Sequence, residues 1–269
     1  MIALVVSVPL DDVELASDVL WGLGVVAIEE RAGDGPGIVE LWTSLGDDLD
    51  VDRDAPALAA WPSRLVDVDE SVADTWRAHA LPIEIDTDLV ICPAWVDPGE
   101  RAEGMTVVFI EPSSTFGLGD HPTTRLTLRA MRRVLRQGHS VLDVGCGSGV
   151  LAITAVLSGA ASAHGIDISP AAVPTTMANA QRNGVVERVT VATTPLAEVD
   201  GTADVVLANI LAPELVAMAA DLRRVVAPGG VLIVSGILAD RHDHVLAALA
   251  PLEVERIDAL DGWVAITLR

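Results

Sequence analysis

In the second half of the chain, short apolar runs alternate with stretches of helical periodicity. Continuous apolar runs bounded by turn residues are typical of strands that are buried on both faces of a parallel sheet. The last two strands lie too close together for a helical crossover, so they are predicted to form an antiparallel hairpin. This pattern predicts an α/β domain with a doubly wound sheet. The predicted strands of this sheet are 141–144, 163–167, 189–192, 203–208, 231–235, 252–257 and 263–268, and a further strand is predicted ahead of them at 106–110.

The beginning of the chain has shorter elements and more turn residues. Its pattern predicts a small α+β domain of ferredoxin-like kind over residues 1–68, with nothing in it that looks catalytic. Residues 69–104 are expected to be a linker helix, at 71–80, and a connecting segment. The doubly wound domain is expected to occupy 105–269. The predicted strands of the small domain are 1–8, 25–30, 38–42 and 65–68, the predicted helices 16–21 and 56–64, and the acidic run 46–54 is predicted to be a solvated loop.

A glycine-rich turn follows the strand at 141–144, in the sequence VLDVGCGSG. Gly145 and Gly147 let backbone N–H groups approach a ligand closely, and the N-terminus of the helix that follows favours negative charge. The next predicted strand ends in Asp167, whose carboxylate can accept hydrogen bonds from both hydroxyls of a ribose. Strand, turn, helix and acid together predict a site for a nucleotide-like cofactor.

Two cofactors use this geometry. The dinucleotide fingerprint G-x-G-x-x-G has its third glycine one residue later than this chain does. Asp143 lies just before the turn, where it would repel a pyrophosphate but could hold the ammonium group of a methionine moiety through water or backbone. The spacing and the extra acid therefore favour S-adenosylmethionine over NAD.

The chain is strongly acidic, with 39 acidic residues against 17 basic ones and a net charge of −22. The basic residues are all Arg, since the sequence contains no Lys. A surface of this charge repels nucleic acid and anionic lipid and attracts a basic protein. A composition bias without functional meaning explains the same numbers equally well.

No apolar run is long enough to span a membrane, and the N-terminus lacks the features of a signal peptide, so a cytoplasmic protein is expected. Cys92 and Cys146 do not make a metal-binding pattern, and no metal site is expected. Cys146 lies in the glycine turn, where a small residue is needed, which favours a structural role over a nucleophilic one. We also expect a monomer that binds neither membrane nor nucleic acid directly.

Three stretches together resemble the bacterial ribosomal protein L11 methyltransferases. The loop FGLGDHPTT at 116–124 is similar to that family's F-G-T-G-x-H-x-T-T, although Leu118 stands where the family has Thr. The cofactor segment is similar over VLDVGCGSGVLAI and GIDISP, and NIL at 209–211 and SGIL at 235–238 match the ends of two later strands. Trp76-Arg77 and Pro93-Ala94-Trp95 in the connecting segment also resemble the sequences of this family. The resemblance spans roughly residues 70–269.

This resemblance implies a seven-stranded, Rossmann-like methyltransferase domain that uses S-adenosylmethionine. It also implies a small N-terminal domain that binds L11, whose lysine and N-terminal amines are methylated. Carried over by motif, Thr124 and Gly145 would contact the cofactor, Asp167 would hold the ribose hydroxyls, and Asn209 would lie beside the sulfonium. Gly147 belongs to the same cofactor turn.

The residues themselves leave two of these roles open. Asn209 follows a predicted strand, at the edge where α/β sheets bind ligands, so its amide oxygen can accept from an incoming amine, as can the carbonyl of Ile210. Asn209 is alternatively a helix N-cap ahead of Pro213, and Thr124 is alternatively the N-cap of its own helix. His121 is interpreted as a structural hydrogen-bonding residue, since methyl transfer to an amine requires no dedicated base.

Three other functions are compatible with parts of the sequence. The first is a methyltransferase of the same fold that acts on another protein or on a small molecule, a choice that residues 1–68 would decide. The second is a non-catalytic cofactor-binding protein, which an intact set of Asp143, Gly145, Asp167 and Asn209 argues against. The third is an NAD oxidoreductase, which the glycine spacing disfavours.

Overall fold

The computed structural model describes residues 2–22, 25, 28–44, 56–67, 80–111 and 119–269. The chain divides into two compact units, Met1–Ala80 and Leu81–Arg269. No helix in the described ranges combines the length and apolar character that crossing a bilayer requires.

The first unit contains a four-stranded antiparallel sheet in the order β2-β3-β1-β4. This order is that of a ferredoxin-like domain, as expected. Alternate residues of β1, namely Leu4, Val6 and Val8, pack with Leu20 of α1 and Leu41 of β3 to form its core. The elements are β1 (Ile2–Pro9), α1 (Val13–Gly22), β2 (Glu29–Ala32), β3 (Ile38–Ser44) and β4 (Ser63–Asp67).

Two predicted elements of this unit are different in the structure. The strand predicted at 25–30 is β2, which begins only at Glu29 and ends at Ala32. The helix predicted at 56–64 is only a 3-10 turn, Pro56–Ala60. Pro62 disfavours a helical conformation of the residue before it, and residues from Ser63 onward pair with β1 instead. The predicted acidic loop at 46–54 lies outside the described residues.

The connecting segment also differs from the expectation over its second half. Residues from Leu81 onward belong to the second unit. There, β5 (Ile83–Asp86) and β6 (Leu89–Pro93) form a three-stranded sheet with β7 (Thr106–Ile110), in which β6 is parallel to β7. All five residues of β6 are buried, so this segment is part of a core and not a linker. The helix predicted at 71–80 lies outside the described residues except for Ala80.

The second unit is built on a seven-stranded sheet in the order β10-β9-β8-β11-β12-β14-β13. Strands β8 to β12 are all parallel to one another, and β14 is antiparallel to both β12 and β13. This confirms the doubly wound sheet and its terminal hairpin. The strands are β8 (Ser140–Val144), β9 (Ser162–Ile166), β10 (Val189–Ala192), β11 (Ala203–Asn209), β12 (Val226–Leu238), β13 (Val254–Leu260) and β14 (Trp263–Leu268).

Helices cover both faces of this sheet. Along β11, Val205 and Leu207 belong to one apolar core while Val206 and Ala208 belong to the other, which explains why the strand has a continuous apolar sequence. The helices are α2 (Pro122–Val134), α3 (Val150–Leu157), α4 (Ala172–Arg182), α5 (Ala212–Ala217), α6 (Ala219–Arg224) and α7 (Asp243–Leu249). The single helix predicted to follow Asn209 is thus two short helices, α5 and α6.

The topology places a crevice at the carboxyl ends of β8 and β11. Strand order reverses between these two neighbours, because the chain runs from β8 outward to β10 and then returns to β11. Open α/β sheets bind ligands at such a switch point. The glycine turn follows β8 and Asn209 ends β11, so both flank it.

Candidate active site

The glycine turn between β8 and α3 has three glycines with positive φ angles. These are +75° at Gly145, +51° at Gly147 and +80° at Gly149. Side chains strongly disfavour this conformation, so the turn requires glycine. The backbone N–H groups of Gly145 and Cys146 both donate to the carbonyl of Ile166, at 2.8 and 3.1 Å. The end of β9 therefore fixes the turn.

Asp167 lies directly after β9 and bonds to the glycine turn. Its Oδ2 accepts from the Gly147 N–H at 2.8 Å, and its Oδ1 accepts from the Ser169 N–H at 2.9 Å. A carboxylate has about four acceptor positions, so about two remain for another pair of donors. A ribose diol supplies two hydroxyl donors, and the geometry fits the role expected for Asp167.

Ile168 was not identified from the sequence. Its side chain is 94% exposed, the largest value among the exposed large apolar residues described. It directly follows Asp167, so an apolar surface lies next to the acid that is expected to hold a ribose. A flat base such as adenine is suited to such a surface. The signal in the sequence was an isolated apolar residue between polar ones.

Asp143 lies beneath the turn and is completely buried. Its Oδ2 accepts from the N–H of Ala152 in the first turn of α3, at 3.1 Å, so it compensates for an N-cap residue, Gly149, that has no side chain. Its Oδ1 is a buried oxygen that has no hydrogen-bond partner among the described residues. Burial raises the pKa of Asp143 to about 7. Asp143 thus orients α3, and its second oxygen is an unused polar group beside the turn.

Cys146 is buried, and its Sγ lies 3.8 Å from Oγ1 of Thr176. Burial raises the pKa of its thiol, which disfavours the nucleophilic thiolate. A Cβ on Gly165 of β9 would lie 2.9 Å from this sulfur, so the two residues pack tightly. These contacts favour the structural role.

Asn209 is joined to Thr124 of α2. Its Nδ2 donates to Thr124 Oγ1 at 3.4 Å, and Thr124 is 1% exposed. Helix α5 begins after Leu211, which is its N-cap residue, so Asn209 does not cap it. The amide nitrogen of Asn209 is thus bonded to α2, and this contact does not use the amide oxygen.

The N-cap of α2 is His121, and not Thr124. Its Nδ1 accepts from the N–H of Thr123 at 3.4 Å and lies 2.8 Å from Thr123 Oγ1. The ring also packs edge-on against Trp263 at 5.2 Å, and burial lowers the pKa of His121. These contacts favour the structural role for His121, and they place Trp263, which sequence reasoning missed, beside the start of α2.

Ile210 is held between two glycines. A Cβ on Gly145 would lie 2.4 Å from Ile210 Cγ2, and a Cβ on Gly236 would lie 2.1 Å from the Ile210 carbonyl oxygen. Gly236 has φ +87° and occupies the irregularity in β12 where the register with β14 shifts. The backbone directly after Asn209 therefore depends on glycine at both neighbouring positions.

The structure thus brings the five expected site residues together. Asp167 bonds to Gly147, Gly145 packs on Ile210, and Asn209 precedes Ile210 and bonds to Thr124. A seven-stranded sheet of this order, with a glycine turn and an acid after its first two strands, defines an S-adenosylmethionine-dependent methyltransferase.

Comparison with known proteins identifies the family. Residues 57–269 match the family described as ribosomal protein L11 methyltransferase (PrmA). The ribosomal protein L11 methyltransferase of Geobacter sp. (strain M21) is 44% identical over 74% of this chain and 67% of its own length. That of Methylococcus capsulatus is 37% identical over 98% of this chain and 97% of its own length. The chain belongs to the ribosomal protein L11 methyltransferase family.

A solved structure agrees with this assignment. The crystal structure of the ribosomal protein L11 methylase from Lactobacillus delbrueckii subsp. bulgaricus has a TM-score of 0.65 and 30% sequence identity. It covers 70% of this chain and 97% of that one. The family resemblance recognised in the sequence is confirmed.

Proposed function

We propose that this methyltransferase transfers methyl groups from S-adenosylmethionine to lysine and N-terminal amines of ribosomal protein L11. The observation that carries the proposal is the continuous line of contacts from Asp167 through the glycine turn to Asn209. This line supports a diol acceptor at one end of the crevice and an amide acceptor at the other. The names of the relatives supply the identity of the protein substrate.

In the proposed cofactor site, Asp167 holds the ribose hydroxyls, and Ile168 offers its exposed side chain to the adenine. Gly145 and Gly147 allow the backbone of the turn to approach the methionine part, and Thr124 contacts the cofactor from α2. The unpaired oxygen of Asp143 provides an acceptor for the ammonium group through water. The bound cofactor supplies a methyl group on an electrophilic sulfonium.

The chain's own residues prepare the amine. Free lysine has a pKa of about 10.4, and the nitrogen needs its lone pair to attack. A poorly hydrated slot disfavours the charged form of the lysine amine. Carbonyl acceptors then orient the neutral amine in line with the bond between the sulfonium and its methyl group. The amide oxygen of Asn209 and the carbonyl of Ile210 are the proposed acceptors. The amine proton leaves to solvent after transfer, so no dedicated base is needed.

The direct test is mass spectrometry of purified L11 after incubation with the enzyme and S-adenosylmethionine. We expect mass increases by whole numbers of methyl groups on L11, localised to lysine side chains and the N-terminus. Unmodified L11, from an enzyme that binds S-adenosylhomocysteine normally, would mean that the substrate is another protein or a small molecule.

Replacing Asp167 by Ala is expected to weaken binding of S-adenosylhomocysteine. The loss of two charge-assisted hydrogen bonds to a buried ribose costs about 2–4 kcal/mol. Isothermal titration calorimetry measures this, with Asp200→Ala as the matched control. Asp200 is an exposed acid three residues before β11, at the opposite edge of the sheet. An unchanged dissociation constant for Asp167→Ala would remove Asp167 from the ribose site.

The small N-terminal domain is proposed to bind the protein substrate. Residues 1–80 contain 17 acidic residues and 4 Arg, and this excess of negative charge suits a basic partner. A cytoplasmic location and a monomeric state stay predictions.

A chain reduced to residues 81–269 is expected to bind S-adenosylhomocysteine but to lose methylation of L11. The second unit has two apolar cores of its own and contains every residue of the proposed cofactor site. Circular dichroism and calorimetry show whether the shortened chain folds and binds. Methylation of L11 at the full rate by such a chain would show that the small domain has another role.

A further inference from the structure

The edge of β7 that β6 leaves free is bound by two asparagine side chains, Asn179 in the last part of α4 and Asn183, the C-cap residue of α4. Asn183 Oδ1 accepts from the Phe109 N–H at 2.8 Å, and its Nδ2 donates to the Phe109 carbonyl at 2.7 Å. Asn179 Oδ1 accepts from the Glu111 N–H at 2.9 Å, and its Nδ2 donates to the Glu111 carbonyl at 2.9 Å. Residues two apart share one edge of a strand, and residues four apart share one face of a helix, so the two amides bind β7 as a neighbouring strand would.

Asn179 makes a further contact that Asn183 does not make. Its Nδ2 also donates to the carbonyl of Ser148 in the glycine turn, at 2.9 Å. Its Oδ1 also accepts from Arg182 Nη1 at 2.7 Å, so this completely buried amide uses both donors and both acceptor positions. A fully satisfied buried polar group of this kind holds its partners in one arrangement.

The two ends of this bridge are both parts of the proposed site. Ser148 lies between Gly147 and Gly149, in the turn that faces the cofactor. Glu111 is the last described residue before the segment that leads to Thr124. Asn179 therefore connects the cofactor turn to the start of the segment that supplies Thr124.

We propose that Asn179 is a positioning residue that couples the glycine turn to the end of β7, so that cofactor bound at the turn stabilises the Glu111 backbone. This rests on the proposed cofactor site. The sequence signal is Asn179 inside a helix, since asparagine favours caps and turns over helix interiors, with a second asparagine four residues later at the C-cap.

The chain offers two matched controls. Asn183 binds β7 in the same manner but has no contact with the turn, and Thr176 binds only the turn, where its Oγ1 donates to the Gly147 carbonyl at 3.0 Å. Asn183→Ala thus loses bonds to Phe109 and to the Asn179 carbonyl but keeps the bridge, and Thr176→Val loses a bond to the turn. Asn179→Ala loses the bonds to both Glu111 and Ser148.

The first experiment measures S-adenosylhomocysteine binding by calorimetry in Asn179→Ala and Asn183→Ala, at a temperature where both are folded. We expect affinity to fall about 10-fold or more in Asn179→Ala, since the buried Ser148 carbonyl loses its donor, and by less than about 3-fold in Asn183→Ala. In Asn179→Ala, the KM for S-adenosylmethionine should rise by about the same factor as the dissociation constant for S-adenosylhomocysteine. Equal losses of affinity in the two variants would reduce Asn179 to a structural contact of β7.

The second experiment uses the wild-type protein and needs no variant to fold. Amide hydrogen exchange is measured at Glu111 and Phe109 with and without S-adenosylhomocysteine. We expect the ligand to slow exchange at Glu111 several-fold more than at Phe109, and this difference to persist in Thr176→Val. Equal slowing at both amides would overturn the coupling, whereas a wild-type protein that does not bind S-adenosylhomocysteine would overturn the proposed function instead.

Discussion

Replacing Asn209 by Ala is expected to lower the rate of L11 methylation by about 100-fold, which corresponds to about 3 kcal/mol of activation free energy. The amide oxygen is proposed to orient the attacking amine, so its loss acts mainly on the transition state. The affinity for S-adenosylhomocysteine should fall much less, because the contacts of Asp167 and the glycine turn remain. Single-turnover kinetics and calorimetry separate the two quantities.

Asn209→Asp is the sharper variant. It keeps the shape, and the Thr124 hydroxyl can donate to the new carboxylate, since a hydroxyl is both donor and acceptor. The added negative charge stabilises the positive charge of the sulfonium in the ground state. Because this positive charge is lost during methyl transfer, the rate should fall while the cofactor still binds. The variant should also have a higher ratio of S-adenosylmethionine affinity to S-adenosylhomocysteine affinity than the wild type, because the sulfur of S-adenosylhomocysteine is uncharged. Near-normal turnover with an unchanged ratio of the two affinities would remove Asn209 from the reaction.

Replacing Gly236 by Ala is expected to be the second large effect, with a loss of methylation of about 100-fold. The new Cβ would lie 2.1 Å from the Ile210 oxygen and 2.7 Å from its carbonyl carbon, so the backbone after Asn209 must move. The proposed amine acceptor at Ile210 moves with it. The positive φ of Gly236 adds strain of about 1–2 kcal/mol for a residue with a side chain.

Gly229→Ala is the matched control for Gly236→Ala. Gly229 lies in the same strand with φ +76°, but a Cβ there meets no described atom within 4 Å. Gly229→Ala therefore carries the strain without the collision, and it should lower the free energy of unfolding while leaving turnover nearly normal. Urea unfolding and methylation rates are measured for both variants. Equal activities at equal stabilities would show that the Ile210 carbonyl has no part in transfer.

Local sequence patterns predicted most of the second unit. The apolar runs of β8 and β11, the glycine turn and the acid after β9 are each recognisable within a few residues. Strand burial and positive φ angles depend on neighbours close in sequence, so their pattern is sufficient. The hairpin of β13 and β14 was predictable for the same reason, because the intervening segment is too short for a crossover.

Contacts between distant residues were not predictable in this way. The cap of α2 is His121 because the tertiary structure directs Thr124 to Asn209, a residue 85 positions away. Asp143 was expected to hold the ammonium group of the cofactor through water or backbone, and only the structure shows that one of its oxygens also accepts from Ala152 at the start of α3. Leu89–Pro93 was expected to belong to a connecting segment, but its pairing with Thr106–Ile110 makes it part of a core.

The sequence by itself therefore determined the fold class, the cofactor turn, the acid beside it and the family. These follow from backbone conformation and hydrophobic periodicity, which act over a few residues. Only the tertiary structure decided how Ile210 is held between Gly145 and Gly236 and how Asn179 joins the turn to β7. These contacts join groups that come within about 3 Å of each other only when separate strands and helices pack together. The close packing of the interior then fixes the position of each group.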